Sequence, residues 1–63
     1  MMTITRRSPL TGETNTMRLD VSEGAFYAWE GGMLAQDAMP NLTADEREFV
    51  MTGITPYEWQ EYI

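Results

Sequence analysis

Thr43-Ala44-Asp45-Glu46-Arg47-Glu48-Phe49-Val50-Met51-Thr52-Gly53-Ile54-Thr55-Pro56-Tyr57-Glu58-Trp59 contains two helix starts and one helix stop. Thr43 and Glu46 have the spacing of a capping box. The threonine hydroxyl accepts from the Glu46 amide, and the Glu46 carboxylate reaches back to the Thr43 amide. The helix that follows stops at Gly53. With glycine at C′, Ile54 at C″ is placed to pack on Phe49 at C3, the hydrophobic contact of a Schellman stop. Thr55 and Glu58 repeat the capping box, and Pro56 takes N1, where a missing N–H costs nothing. Ile54 at N′ and Trp59 at N4 then form a hydrophobic staple, so one isoleucine closes one helix and opens the next. Each cap contributes about 1 kcal/mol, a large share for a chain this short.

Moving toward the N-terminus, Ser22 is the expected N-cap of an earlier helix in which Phe26, Trp29 and Met33 share a face with Ala25 beside them. Gly24 weakens it by about 1 kcal/mol against alanine. Gly31-Gly32 either ends this helix or lets another backbone approach before the segment from Met33 to Met39, which Pro40-Asn41 closes. Before Ser22 the periodicity changes to two. Met2 and Ile4 alternate with Thr3 and Thr5, and Met17, Leu19 and Val21 alternate with Arg18 and Asp20, which predicts two half-buried strands. Ser8-Pro9-Leu10-Thr11-Gly12 carries turn residues, and Asn15 can close an Asx-type turn. A loop of about nine residues is expected, either folded on itself around Leu10 or reaching elsewhere. The expected architecture is a single α+β domain. Residues 1–21 form a β-hairpin with a long loop, packed on a cluster of three to four short helices in residues 22–63.

The composition narrows the chemistry. The 63 residues include no cysteine, histidine or lysine, and four arginines face ten carboxylates for a net charge of −6. Disulfides, thiolate nucleophiles and cysteine- or histidine-based zinc sites are excluded. The groups that usually shuttle protons or attack near neutral pH are also missing, so the expectation is a non-enzyme with no cofactor. Paired carboxylates could hydrolyse glycosides, but that needs a sugar-holding cleft that so short a chain rarely encloses. Apolar runs such as Phe49-Val50-Met51 fall far below the roughly 18 residues that span a bilayer, and no apolar segment follows Arg6-Arg7 as in a secretory signal. No membrane association is expected. Asp45 and Glu48 with Glu46 are the best metal candidates, but Arg47 lies among them and calcium usually takes its oxygens from a bent loop. No metal site is expected. The charge is unevenly spread. Residues 1–18 carry three arginines and one glutamate, whereas residues 19–63 carry one arginine and nine acids. Direct nucleic-acid binding by a cationic surface is not expected.

Arg7-Ser8-Pro9-Leu10-Thr11-Gly12, Asn15 and Met17, then Trp29, Gly32, Gln36, Ala38-Met39-Pro40 and Leu42, and finally Glu46-Arg47-Glu48-Phe49, Thr52-Gly53-Ile54-Thr55-Pro56 and Glu58-Trp59 form a pattern over nearly the whole chain. In these residues it resembles a family of uncharacterised small proteins encoded mainly by bacteriophages and prophages. The resemblance implies a setting, a small accessory protein in a host bacterial cytoplasm, and brings no catalytic or binding residues with it.

Seven aromatic side chains and six methionines exceed what so small a core can hold. Phe26, Trp29, Phe49 and Trp59 are the expected core members. The surplus marks a contact surface, because exposed tyrosine and methionine favour interfaces. Three roles follow. The first is an inhibitor or adaptor that docks on a bacterial host protein, including a component of host defence, through Tyr27, Glu30, Tyr57, Trp59, Glu61 and Tyr62. The second is a homo-oligomer that takes up an anionic nucleotide ligand, with Arg6, Arg7 and Arg18 supported by Thr11, Gly12 and Asn15 at a subunit junction. The third is a nucleic-acid mimic whose carboxylates stand in for phosphates.

Overall fold

The structure is a computed structural model that describes residues 1–62. It is an α+β fold in which a two-stranded antiparallel hairpin precedes four short helices. β1 (Met2–Arg7) pairs with β2 (Thr14–Leu19) in a register running from Met2 opposite Leu19 to Arg7 opposite Thr14. The alternation sets Met2, Ile4 and Arg6 opposite Leu19, Met17 and Asn15 on the inner face. Thr3, Thr5 and Arg7, with Arg18, Thr16 and Thr14, occupy the solvent face and are all exposed.

The loop is shorter than its expected nine residues, because the strands run on to Arg7 and Thr14. The Ser8 amide donates to the Glu13 carbonyl at 2.9 Å, and the Gly12 amide donates to the Ser8 carbonyl at 2.9 Å. The loop does fold on itself, but around Ser8 rather than Leu10. Ser8 is buried and its Oγ accepts from the Leu10 amide, whereas Leu10 is exposed.

Ser22 caps α1 (Glu23–Glu30), accepting from the Ala25 amide at 3.1 Å. The Met33 amide donates to the Ala28 carbonyl and the Gly32 amide to the Trp29 carbonyl, both at 3.0 Å. That pair of bonds is a Schellman stop, and it needs the positive φ of 119° that Gly32 provides. The glycine pair therefore ends the helix, and a Cβ at Gly32 would meet nothing within 4 Å. Met33 falls outside α1 and is exposed, so the apolar face of that helix consists of Ala25, Phe26 and Trp29 alone.

α2 (Ala35–Ala38) is a single turn whose Ala38 is buried, with buried Met39 beyond it. α3 (Ala44–Thr52) starts with the full Thr43/Glu46 capping box. Its stop is at Gly53 as expected, but of a different kind. The Gly53 amide donates to the Phe49 carbonyl at 2.7 Å, while the Ile54 amide turns to the Thr52 hydroxyl at 3.1 Å. This is the single-bond αL stop rather than a Schellman motif, since Thr52 takes the amide that would have closed the second bond. α4 (Pro56–Tyr62) opens on the Thr55/Glu58 box, with amide-to-side-chain bonds of 2.9 and 3.1 Å.

The core gathers Ile4 and Leu19 of the hairpin, Val21, Ala38, Met39, Leu42, and Phe49 and Val50 of α3. Phe49 and Val50 are fully buried, each contributing about 1.5–3 kcal/mol relative to exposure. Phe26 and Trp29 pack against this cluster while only half-buried, so of the four aromatics expected inside only Phe49 is fully enclosed.

Candidate functional site

Two junctions organise the residues singled out in the sequence. The first joins the hairpin loop to the C-terminal helices. Glu58 is only 4% exposed. Its Oε1 accepts from the Thr55 amide at 2.9 Å and from Asn15 Nδ2 at 3.1 Å, and its Oε2 accepts from Thr11 Oγ1 at 2.8 Å. The Thr55 amide, opposed by desolvation and helped by the hydroxyls of Thr11 and Ser8 and the Asn15 amide, holds this carboxyl below its ordinary value. Asn15 also donates to the Gly53 carbonyl at 3.4 Å. Arg6 donates from Nη1 to the Val50 carbonyl, one of the four carbonyls that the end of α3 leaves without an intrahelical partner. α3 has no basic residue in its last turn, so the strand supplies the cation that its C-terminus favours.

Of the six residues expected at an anion site, Thr11, Gly12 and Asn15 gather at or beside the loop while the three arginines are set apart. Arg6 lies on the inner face and is committed to α3, whereas Arg7 and Arg18 lie on the outer face, at opposite ends of the hairpin. Arg7 Nε donates to the Gly12 carbonyl at 3.1 Å, closing the loop. Thr11 and Asn15 both donate to Glu58. Sequence reasoning placed Glu58 in a cap and missed its second role. The signal was there, in a carboxylate helix start and a run of hydroxyl and amide donors in the hairpin loop, but the two lie more than forty residues apart. Arg47 was likewise passed over. Its Nη1 donates to the Leu42 carbonyl at 2.7 Å, tying α3 to the turn before it.

The second junction is an open cleft of about 580 Å³ between the inner face of β1 and α1, lined by Arg6, Phe26, Trp29 and Glu30. The Phe26 and Trp29 ring centroids are 5.7 Å apart. Tyr27 meets Phe26 edge-on at 6.1 Å and is 62% exposed. Three aromatic rings thus run from the solvent to the core, with a guanidinium and a carboxylate at the cleft. A second hollow of about 210 Å³ lies between residues 20–22 and the turn at Pro40.

Of the other residues expected at a partner surface, Tyr57 and Tyr62 are exposed at 71% and 60%, and Glu61 is exposed. Trp59 is half-buried and its indole nitrogen is buried without a hydrogen-bond partner among the described residues, so it does not offer that donor outward. α1 packs on α2 while α4 packs on α3, which places Tyr27 and Glu30 on a different helix pair from Tyr57, Glu61 and Tyr62. Among the described residues no group of three or more Asp or Glu side chains comes close enough to hold a metal ion. Among the described residues no helix is long and apolar enough to cross a membrane. No protein-family profile, curated protein or solved structure matches the chain.

Proposed function

We propose that this is a non-catalytic interaction protein that docks on a bacterial host protein, as an inhibitor or adaptor, through the cleft at α1. The observation that carries this reading is the run Tyr27, Phe26 and Trp29, open to solvent at one end and seated on the core at the other, beside Arg6 and Glu30. Aromatic and arginine side chains on a fixed support are the residues that dominate binding energy at protein interfaces. The phage-like pattern supports a host bacterial cytoplasm as the setting, and within it the reading is a role in host takeover or against host defence.

The test uses purified chain immobilised in bacterial lysate. One host protein should be retained stoichiometrically by the wild type and lost with Tyr27→Ala or Glu30→Arg, both exposed positions that leave the fold intact. Retention that is equal for wild type and both variants refutes the cleft as the docking site. Retention of a nucleic-acid-binding protein that collapses steeply with added salt points instead to the mimic, since an aromatic-anchored contact depends little on ionic strength.

A further inference from the structure

The hairpin has two edges, and among the described residues only one is engaged. The Ser8-to-Glu13 bond fixes that pair as hydrogen-bonded, so by the alternation of antiparallel ladders the pairs 6/15, 4/17 and 2/19 exchange bonds within the hairpin. The amides and carbonyls of Thr14, Thr16 and Arg18 therefore point out of the β2 edge. All three residues are exposed, and among the described residues no backbone bond from a helix or loop ends on them. On the β1 side, by contrast, α3 packs against the strand and Gly53 lies against the Arg7 carbonyl. Natural edge strands are usually blunted by proline, lysine, a bulge or a cover. β2 has an unbroken register, no proline or lysine, and one charged residue.

We propose that a second copy of the chain pairs antiparallel along β2, with Thr16 on the two-fold axis, to make a continuous four-stranded sheet. In this register Thr14 faces Arg18 of the other copy, Thr16 faces its own counterpart, and Arg18 faces Thr14. Three narrow pairs exchange two main-chain bonds each. Slipping the register toward either end loses pairs, and centring it on Arg18 sets like charges directly opposite, which is unfavourable. The side chains repeat a contact already made. Thr5 and Thr16 hydroxyls bond across the hairpin at 3.0 Å, and pairing through Thr16 extends that row of hydroxyls across all four strands. The need is physical too, because a two-stranded sheet is marginal alone and an isologous two-fold contact doubles it.

The experiment is sedimentation equilibrium of the full chain with hydrogen exchange read at single amides. The wild type should give twice the 7.2 kDa chain mass, with the Thr14, Thr16 and Arg18 amides protected and losing protection on dilution. Thr16→Glu and Thr16→Lys, at an exposed position, should each sediment as monomers because like charges meet on the axis. Mixing the two should restore the dimer mass. A wild type that stays monomeric into the millimolar range overturns the proposal. So does a dimer that leaves those three amides unprotected, or a mixture of folded variants that fails to associate.

Discussion

Gly53→Ala tests the tightest point in the fold. Gly53 has a φ of 85°, and a Cβ built there would lie 2.6 Å from the Arg7 carbonyl oxygen, 3.1 Å from its carbon and 3.2 Å from Arg6 Cβ. The left-handed conformation alone costs an L-residue about 1–2 kcal/mol. Ordinary contact begins near 3.4 Å, so the end of α3 and the end of β1 must also part by about 0.8 Å. The two nearest of these atoms are backbone, and the same strands are held by Arg6 on Val50 and Asn15 on Gly53, so neither side yields freely. Forcing a methyl into such a contact costs a further ~1–3 kcal/mol, for a total of about 2–5 kcal/mol. A chain of this length has about 3–9 kcal/mol of stability to lose. Gly12→Ala is the matched control. Its φ of 75° carries the same conformational cost, but its nearest neighbour is the tip of the Arg7 side chain at 3.6 Å. Urea unfolding followed by tryptophan fluorescence should place Gly53→Ala below Gly12→Ala by about 1–3 kcal/mol with unchanged m. Equal midpoints for the two variants would refute the close approach of α3 to β1.

Acid should loosen the loop-to-helix junction in a defined direction. Glu58 has its pKa depressed by folding, chiefly by the Thr55 amide, so its stabilising contribution is complete above the unfolded value near 4.5 and is lost as pH falls through the folded value. Thermal melts between about pH 6 and about pH 3 should show a fall in midpoint on the acid side that is smaller in Glu58→Gln; an identical fall in both would remove Glu58 from the account. Thr43→Ala removes one half of a capping box and should cost about 1 kcal/mol in urea, with no change in the oligomeric mass. Phe49→Ala opens a fully buried site and should cost about 3–5 kcal/mol, enough to leave much of the chain unfolded by circular dichroism; a well-folded variant would mean the core does not close on Phe49.

The parts of the fold that could be read from the sequence are those decided within a few residues. Both capping boxes, the Ser22 cap and the stop at Gly53 depend on donors and acceptors two to four positions apart, and all stand where the spacing puts them. Strand alternation likewise found the hairpin, because its inner face is buried. The misplaced features depend on distant partners or on competition between close alternatives. Thr52 intercepts the Ile54 amide and changes the kind of stop, Gly32 takes a Schellman geometry that cuts Met33 off from α1, and Ser8 is buried because the loop winds around it. The candidate site shows the same division. The exposure of Tyr27, Tyr57 and Tyr62 follows from helical spacing around a small core. The cleft does not, since Arg6 of β1 and the aromatics of α1 meet there only through the tertiary fold, and the roles of Thr11 and Asn15 depend on where α4 docks.

The Glu58 junction also couples the hairpin to the C-terminal helices as one unit. A hairpin usually forms early, since its contacts are local. Here Thr11 of the loop and Asn15 of β2 have their acceptor in Glu58, and Arg6 of β1 has its own in Val50, so these three side chains are paired only when the last two helices are in place. Closing a loop of that span carries an entropic cost that short helices alone would avoid. The hairpin and the last two helices are therefore expected to open together, so that loosening one loosens the other.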